Sequence, residues 1–292
     1  MLRLRSMALA LGAAMMLALG QAQAENTIVR VHTSLGPIDM QLLDDEAPRT
    51  VANFLAYVNG GDYESVFFHR SVHNFVIQAG GFRWMAGSAN CCQPVTSRGK
   101  VQNEFAATRS NLRGTVAMAK VGSDPDSATS QWFVNLADNS ANLDKQNGGF
   151  TVFARVSEPS MAVVDRIAAL TVVNAGSPYN ELPVTGWKPL TPIERNNLVS
   201  IRRAEIVPPR AQLSDAERVF DYLEAAFPQY IDSSSSVRGE ADGYSYRYYS
   251  GSNAYVGLKD DKLWYLVPAI DSNINLLGTL AEWLAIAQAA GY

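Results

Sequence analysis

One cation stands in an otherwise apolar, strand-like stretch of the chain, residues 66–82 (VFFHRSVHNFVIQAGGF). Arg70 lies between Phe68 and Phe75, and the amide Gln78 follows eight residues after the arginine. An unpaired buried charge is costly, so an arginine among aromatic residues normally has a partner or a chemical task. The alternative is a surface arginine on a strand with one solvated face. The stretch alone leaves both readings open.

Other residue types offer little for catalysis. The chain has three histidines and no GxSxG or HExxH motif, so it lacks the patterns of the common hydrolases and metalloproteases. Cys91, Cys92, His69 and His73 could be imagined around a metal, but the spacing of ordinary zinc sites is missing, and we predict no metal and no cofactor. Adjacent cysteines fit ordinary disulfide geometry poorly, and their redox state stays open. His69 is interpreted as a hydrogen-bonded strand residue and not as a proton carrier.

Composition indicates an exported globular protein. The 292 residues are 47% hydrophobic and 18% charged, and the net charge of −4 argues against nucleic acid as the main partner. Residues 1–24 combine Arg3 and Arg5, an uncharged run over 7–20 and the A-x-A sequence ending at Ala24. This pattern predicts a signal peptide cleaved near Ala24, a periplasmic or secreted mature protein, and no membrane anchor.

Most of the chain up to residue 207 shows short β-like segments, so we expect strands to position Arg70. Alternating and β-branched patterns predict strands at 27–33, 38–43, 114–120, 130–136, 150–156 and 198–206, in addition to the central stretch. Helical spacing follows Pro48, up to the Asn59-Gly60-Gly61 stop, and again follows Pro159. Many short strands with two helices indicate a mainly β fold, a closed β-barrel capped at its ends.

A change of composition divides the chain. Residues 208–211 form a stiff proline linker, and nine of the twelve tyrosines follow residue 221. Residues 212–292 predict a small α+β module with the order α-β-β-β-α, with strands at 244–249, 254–258 and 263–267 and a last helix at 276–290. The tyrosines at 244, 246 and 248 share one strand face, which could be core or a recognition surface.

Several blocks of residues together resemble one protein family. FHR at 68–70, Phe75 with Gln78, GTVAMAK at 114–120, SQWF at 130–133, and LD at 143–144 with VF at 152–153 follow one another as in cyclophilins, the peptidyl-prolyl cis-trans isomerases. The bacterial exported branch is the most similar. The resemblance covers an isomerase domain at 25–207. It implies an eight-stranded antiparallel closed barrel with a helix at each end and no cofactor.

The resemblance also implies site residues. Arg70 stands at the position of the catalytic arginine. The substrate-binding positions are held by Phe75, Val76, Gln78, Ala119, Lys120, Gln131, Phe133, Leu143 and Phe150. Lys120 departs from the Ala-Asn pair of eukaryotic members, which is tolerable where the peptide is held by backbone groups. Asn142 and Phe150 replace the Trp and His of cyclosporin-sensitive members, so weak cyclosporin binding is expected.

Two functions follow as hypotheses. The first is a prolyl isomerase that assists the folding of exported proteins by acting on unfolded or loop-exposed proline-containing polypeptides. The alternative is a chaperone or scaffold that binds proline segments and is targeted by the C-terminal module. The resemblance does not cover that module, and its sequence identifies no ligand.

Overall fold

The computed structural model describes residues 26–85, 92–209, 212–233 and 236–292. The predicted signal peptide at 1–24, Cys91 of the cysteine pair and the end of the linker at 210–211 lie outside these ranges. The described helices are α1 (Pro48–Asn59), α2 (Ser140–Leu143), α3 (Met161–Ala168), α4 (Asp215–Ala226) and α5 (Leu280–Ala289). In the described ranges, none of them is long and apolar enough to cross a bilayer.

Eight antiparallel strands form one curled sheet, with the spatial order β12-β1-β2-β9-β7-β8-β4-β3. The members are β1 (Ile28–Thr33), β2 (Gly36–Leu42), β3 (Arg70–Val72), β4 (Val76–Ala79), β7 (Thr115–Met118), β8 (Trp132–Asn135), β9 (Val152–Val156) and β12 (Ile201–Val207). Short antiparallel pairs lie beside it: β5 (Phe82–Trp84) with β6 (Cys92–Pro94), and β10 (Thr171–Val173) with β11 (Leu182–Val184).

The expected closed barrel is corrected to an open one. The edge strands β12 and β3 do not form a ladder with each other. Between them, among the described residues, the chain is joined by a single bridge from Phe67 to Ser200 and by backbone bonds such as Phe68 N to Val199 O at 3.0 Å. These contacts lie just before β3 and β12 begin. The two edges of the curled sheet therefore approach each other without forming a continuous ladder.

Alternation along the strands fills the inside of the sheet with one apolar core. Val29, Met40, Ile77 and Trp132 point inward and are fully buried or nearly so. The two longer helices of the barrel, α1 and α3, contribute to the same core. Helix α1 does so through side chains such as Phe54, and α3 through side chains such as Val163 and Ile167. Proline stands in the first turn of α1, and Gly60 follows its last residue, so the predicted start and stop of this helix are confirmed.

The described residues of the C-terminal module form five strands and not the three that were predicted. They are β13 (Ser236–Ala241), β14 (Tyr244–Tyr249), β15 (Ala254–Lys259), β16 (Lys262–Val267) and β17 (Asp271–Thr279), paired in that order. The polar, glycine-containing β13 lacks apolar alternation, so the sequence pattern missed it. The apolar run at 276–279 belongs to β17, because Thr279 and Glu282 cap each other and start α5 only at Leu280.

A buried ion network joins the module to the barrel. Arg30 of β1 donates to Asp39 of β2 through Nε at 2.7 Å and to Asp221 of α4 through an Nη at 2.7 Å. Arg247 of β14 donates to Asp221 at 3.1 Å and to Glu224 at 2.6 Å. The module is therefore attached to the barrel through the buried ion pair of Arg30 with Asp221, in a network where each arginine also has a carboxylate partner in its own part.

Candidate functional site

The predicted site residues lie on the outer face of the curled sheet. Residues opposite one another in antiparallel strands share a face. Arg70 of β3 is opposite Gln78 of β4, and Gln78 is opposite Phe133 of β8. Phe133 is opposite Ala117 of β7, which in turn is opposite Val152 of β9. Residues far apart in sequence thus form one row across five strands, with the cation at one end.

Apolar side chains of this face form their own cluster, separate from the core inside the sheet. Its members are Leu43, Phe75, Val76, Ala117, Ala119, Phe133, Leu143, Phe150 and Val152. The rings of Phe133 and Phe150 meet edge to face with centroids 5.8 Å apart. Val76, Phe133 and Leu143 are buried, whereas Phe75, Ala119 and Phe150 are partly exposed and border solvent. The structure therefore brings every predicted apolar site residue into one partly exposed apolar cluster, the hollow.

Two amides stand beside the hollow and bind each other. The Nε2 of Gln78 donates to the Oε1 of Gln131 at 2.8 Å. Gly80 permits this approach: its φ is +84°, and a Cβ there would stand 2.4 Å from the carbonyl oxygen of Ser130. The chain segment before β8 can pass close to the end of β4 only because this position has no side chain.

Arg70 faces both an aromatic ring and a carboxylate. Its Cζ lies 5.8 Å from the centroid of the Phe75 ring, a cation–π distance. Its Nε donates to Oε2 of Glu181 at 2.6 Å. The arginine side chain keeps 34% of its surface exposed. Among the described residues, no other hydrogen bond of its guanidinium is found, so the two Nη groups remain available beside the hollow.

Lys120 closes the far side of the hollow. Its Nζ donates to the carbonyl oxygens of Asn147 and Gly149 at 2.7 and 2.6 Å. The same nitrogen lies 4.7 Å from the centroid of the Phe150 ring. Partial burial lowers the pKa of Lys120 from its ordinary value, against the attraction of Asp126 and Asp124. The lysine therefore ties the loop before Phe150 to the end of β7.

His69 points away from the hollow and is buried. Its ring meets that of Phe82 edge to face at 4.9 Å, on the opposite side of the chain from Arg70. Burial, with a smaller contribution from the charge of Arg70, lowers the pKa of His69 to about 4. The imidazole is consequently neutral at pH 7 and faces Phe82 instead of the hollow.

Sequence reasoning missed several residues of the site. Ala117, Val152 and Leu43 belong to the hollow. Strand alternation could have found Ala117 and Val152 once the pairing was known. Glu181 had no signal at all, because it lies 111 residues from Arg70 and in a segment without a motif. The described residues supply an apolar hollow with Arg70 and two amides at one edge and Lys120 on the far side.

A model of one protein family matches the part of the chain that carries this site. The family model described as "Cyclophilin type peptidyl-prolyl cis-trans isomerase/CLD" matches residues 28–188. The match ends before the C-terminal module begins.

Two relatives of known family give the same result. The chain is 42% identical to peptidyl-prolyl cis-trans isomerase A of Dickeya dadantii over 164 residues, covering 56% of this chain and 81% of the relative. It is 40% identical to a peptidyl-prolyl cis-trans isomerase of Acinetobacter baylyi over 156 residues, covering 53% and 79%. A crystal structure of a Cryptosporidium parvum cyclophilin matches with a TM-score of 0.47 and 19% identity, covering 63% of this chain and 99% of that one.

Proposed function

The chain belongs to the cyclophilin-type peptidyl-prolyl cis-trans isomerases, and we propose that Arg70 is its catalytic side chain and that its substrates are exported polypeptides. The enzyme accelerates the rotation of X–Pro bonds and so assists folding. The observation that supports the role of Arg70 is its position at the edge of the hollow, in one row with Gln78 and Phe133.

Prolyl isomerisation requires only that the enzyme position the X–Pro bond and stabilise its twisted state electrostatically. Rotation about an X–Pro bond meets a barrier of about 20 kcal/mol, because amide resonance is lost at the twisted state. No covalent bond is made or broken, so neither a nucleophile nor a general base is needed. At the twisted state the proline nitrogen regains a lone pair. A guanidinium that donates to this nitrogen stabilises the twisted state more than either planar state.

The site residues divide these tasks. The proline ring is held in the hollow by Phe75, Val76, Phe133, Leu143 and Phe150. Arg70 donates from an Nη group, and Gln78 and Gln131 bind the substrate carbonyl beside it. Ala119 and Lys120 hold the peptide backbone. Because tenfold in rate corresponds to about 1.4 kcal/mol, three to four orders of magnitude need only about 5 kcal/mol, which one charge-assisted contact in a desolvated site can supply.

Replacement of Arg70 tests the assignment. Arg70→Ala should lower kcat/KM for a proline-containing test peptide at least about a hundredfold, which is roughly 2.7 kcal/mol of lost transition-state stabilisation. Turnover is measured by NMR exchange between the cis and trans peptide, and circular dichroism checks the fold. Arg98→Ala is the matched control, since Arg98 also pairs with a carboxylate, Asp62, and lies 5.7 Å from an aromatic ring, that of Tyr57. Equal turnover in wild type and Arg70→Ala would contradict the role of Arg70.

Export is proposed from the sequence of residues 1–24. A signal peptide cleaved near Ala24 would deliver the mature enzyme to the periplasm or the medium. Cell fractionation of the full chain should find the processed form outside the cytoplasm, beginning near Glu25 by N-terminal sequencing. An unprocessed chain confined to the cytoplasm would refute export.

Weak binding of cyclosporin is a further expectation. Asn142 is exposed on α2, where the cyclosporin-sensitive relatives carry a tryptophan, and Phe150 replaces their histidine. An asparagine offers far less apolar surface to the ligand than a tryptophan. Titration of peptide turnover with cyclosporin should give inhibition only at micromolar concentration or above, and a nanomolar inhibition constant would overturn the expectation.

A second candidate function, binding of proline segments by the module at 212–292, is favoured by one face of its sheet. Helices α4 and α5 pack on the side of Tyr249, Val256 and Leu263. The opposite side presents partly exposed rings, with Tyr244 and Trp264 edge to face at 6.3 Å and Tyr248 stacked on Tyr255 at 4.4 Å. Such rings suit proline-rich segments, which dock on aromatic surfaces.

The two candidates can be separated by point variants. Tyr244→Ala should weaken capture of an unfolded, proline-containing polypeptide without altering turnover of a short peptide. Tyr230→Ala is the control, since this tyrosine is 47% exposed on the helical side of the module. Unchanged capture by Tyr244→Ala would remove the support for the second candidate.

A further inference from the structure

Glu181 fixes the orientation of the arginine at the site. Its carboxylate accepts from Nε of Arg70 at 2.6 Å, and not from the Nη groups that remain beside the hollow. An arginine has five donor hydrogens in a rigid plane. A carboxylate that holds Nε therefore sets the plane of the guanidinium while leaving four donors free for substrate.

The backbone around Glu181 is itself anchored next to the arginine. The carbonyl oxygen of Glu181 accepts from the backbone nitrogen of Ser71 at 2.7 Å, one residue after Arg70. Leu182, the following residue, is 3% exposed and opens strand β11. The carboxylate thus has a short, fixed path to β3 and does not depend on a long flexible side chain reaching across solvent.

An aromatic anchor keeps the preceding turn in place. Tyr179 packs edge to face on Phe82 at 5.1 Å and contacts Phe67 at 5.8 Å. Its backbone nitrogen and oxygen bond to Gly176 and Ala175 across the same turn. The turn between β10 and β11 is therefore packed on the rings of Phe67 and Phe82, and this contact fixes the position of Glu181.

The energy of this ion pair is small, so its role is geometric. The side chains of Arg70 and Glu181 are 34% and 43% exposed, and pairs of this exposure contribute little to stability. Their effect on catalysis is different. The hydrogen bond from Arg70 to the proline nitrogen forms only at the twisted state. If the guanidinium is free to turn away, the entropy lost in orienting it adds to the activation free energy.

We propose that Glu181 is a positioning residue of the isomerase, which acts by holding the Nε of Arg70 so that its Nη groups face the proline nitrogen. This inference rests on the proposed role of Arg70. It assigns a function to a segment, residues 174–181, that contributes nothing to the apolar hollow itself.

The test compares two substitutions at the same position. Glu181→Ala should lower kcat for the test peptide about three- to tenfold with little change in KM, because substrate binding relies mainly on the hollow. Glu181→Gln should return kcat to within about twofold of wild type, since its amide oxygen still accepts from Nε. Asp62→Ala, which removes the carboxylate from Arg98, is the matched control and should leave kcat unchanged.

A spectroscopic readout separates positioning from a general structural effect. The Nε–H resonance of Arg70 in a nitrogen-15 spectrum should be protected from solvent exchange in wild type and in Glu181→Gln, and should be lost in Glu181→Ala. Thermal unfolding should change little in either variant. The proposal requires that kcat and the protection of this Nε–H both be high in wild type and in Glu181→Gln and low in Glu181→Ala.

Three results would overturn it. They are an unchanged kcat in Glu181→Ala, an equal loss in the Ala and Gln variants, and a gain in both, which would mean that the carboxylate restrains the arginine. These are distinguishable from failure of the proposed function: if Arg70→Ala retains full turnover, the role of Arg70 falls, whereas full loss in Arg70→Ala with no effect of Glu181→Ala rejects only the positioning role.

Discussion

At the scale of single residues, the site depends on which charges the fold leaves available and which it neutralises. Arg70 keeps its charge at the edge of an apolar hollow with a carboxylate on Nε only. Its neighbour in the chain, His69, is buried on the other side of the strand and is held neutral. Adjacent residues thus have opposite fates, because successive side chains of an extended segment point to opposite faces.

The burial of His69 predicts a loss of stability in acid. Its pKa is about 4 in the folded state against an ordinary value of 6.5, so between these two pH values the unfolded chain binds a proton that the folded chain does not. Stability therefore falls as the pH drops from 6.5 to 4, by about 3 kcal/mol from this group at full effect.

Urea unfolding at pH 7.5 and pH 4.5 measures that loss. The variant His69→Gln should lose less stability than wild type over the same interval, even if it is less stable at pH 7.5. His73→Gln, at an exposed histidine, is the control for the removal of an imidazole. Parallel losses in wild type and His69→Gln would show that other groups cause the acid sensitivity.

At the scale of elements, the hollow is made by strands and closed by loops. The sheet supplies the row from Arg70 to Val152 through its register. Helix α2 ends with Leu143, and the loop that follows it brings Phe150 over the sheet. In its last part, Asn147 and the two glycines after it adopt positive φ values, so they favour no regular structure. Contacts from outside the loop hold these residues: Lys120 donates to the carbonyl oxygens of Asn147 and Gly149, and Asn103 donates to those of Gly148 and Gly149.

Removal of the amine of Lys120 should loosen this loop. Lys120→Met keeps the aliphatic length of the side chain but loses both hydrogen bonds to the loop carbonyls. We expect KM for a proline peptide to rise about three- to tenfold, or roughly 1 kcal/mol, with a smaller change in kcat, since Arg70 is not touched. NMR exchange at several peptide concentrations gives both constants.

Lys262→Met, at the exposed first residue of β16 in the C-terminal module, controls for the loss of a lysine. A KM equal to that of wild type in Lys120→Met would mean that the loop is held without the amine. A fall in kcat alone would instead place Lys120 in the chemical step.

At the scale of the whole molecule, two apolar cores are joined by buried charges. Asp221 of α4 lies between Arg30 of the barrel and Arg247 of the module, with only 2% of its surface exposed. Burial alone would raise the pKa of Asp221, but the two arginines hold it below its ordinary value. Arg247 also binds Glu217 of the same helix, and Arg166 of α3 donates to the carbonyl oxygen of Ala225 at 3.0 Å. Barrel and module are therefore held together by more than the linker at 208–211.

Loss of Asp221 should destabilise both parts together. Asp221→Ala leaves two buried arginines without a shared carboxylate, and removal of one partner of a buried pair costs about 3–5 kcal/mol. Urea unfolding followed by the fluorescence of tryptophans in both parts should show a lower midpoint for each. Asp215→Ala in the exposed first turn of α4 should cost less than about 1 kcal/mol.

Peptide turnover gives the second readout of Asp221→Ala. Because the network is remote from the hollow, kcat/KM measured well below the unfolding midpoint should equal that of wild type. Separate unfolding of the barrel at its original midpoint would show that the module is an independent unit linked only by its tether.

The sequence by itself identified Arg70 and most residues of the hollow, because these lie in short local motifs whose order along the chain resembles one family, but it did not identify Leu43, Ala117 and Val152. It also determined the strand at 244–249 through alternation, and the limits of α1 through the proline in its first turn and the glycine after its last residue. Only the tertiary structure decided that the sheet stays open between β12 and β3, that β13 and β17 are strands, and that Glu181 and Asp221 meet their arginines. The physical reason is that such contacts depend on the register of strands and on buried charges that are stable only as partners. Neither leaves a pattern within any one stretch of sequence.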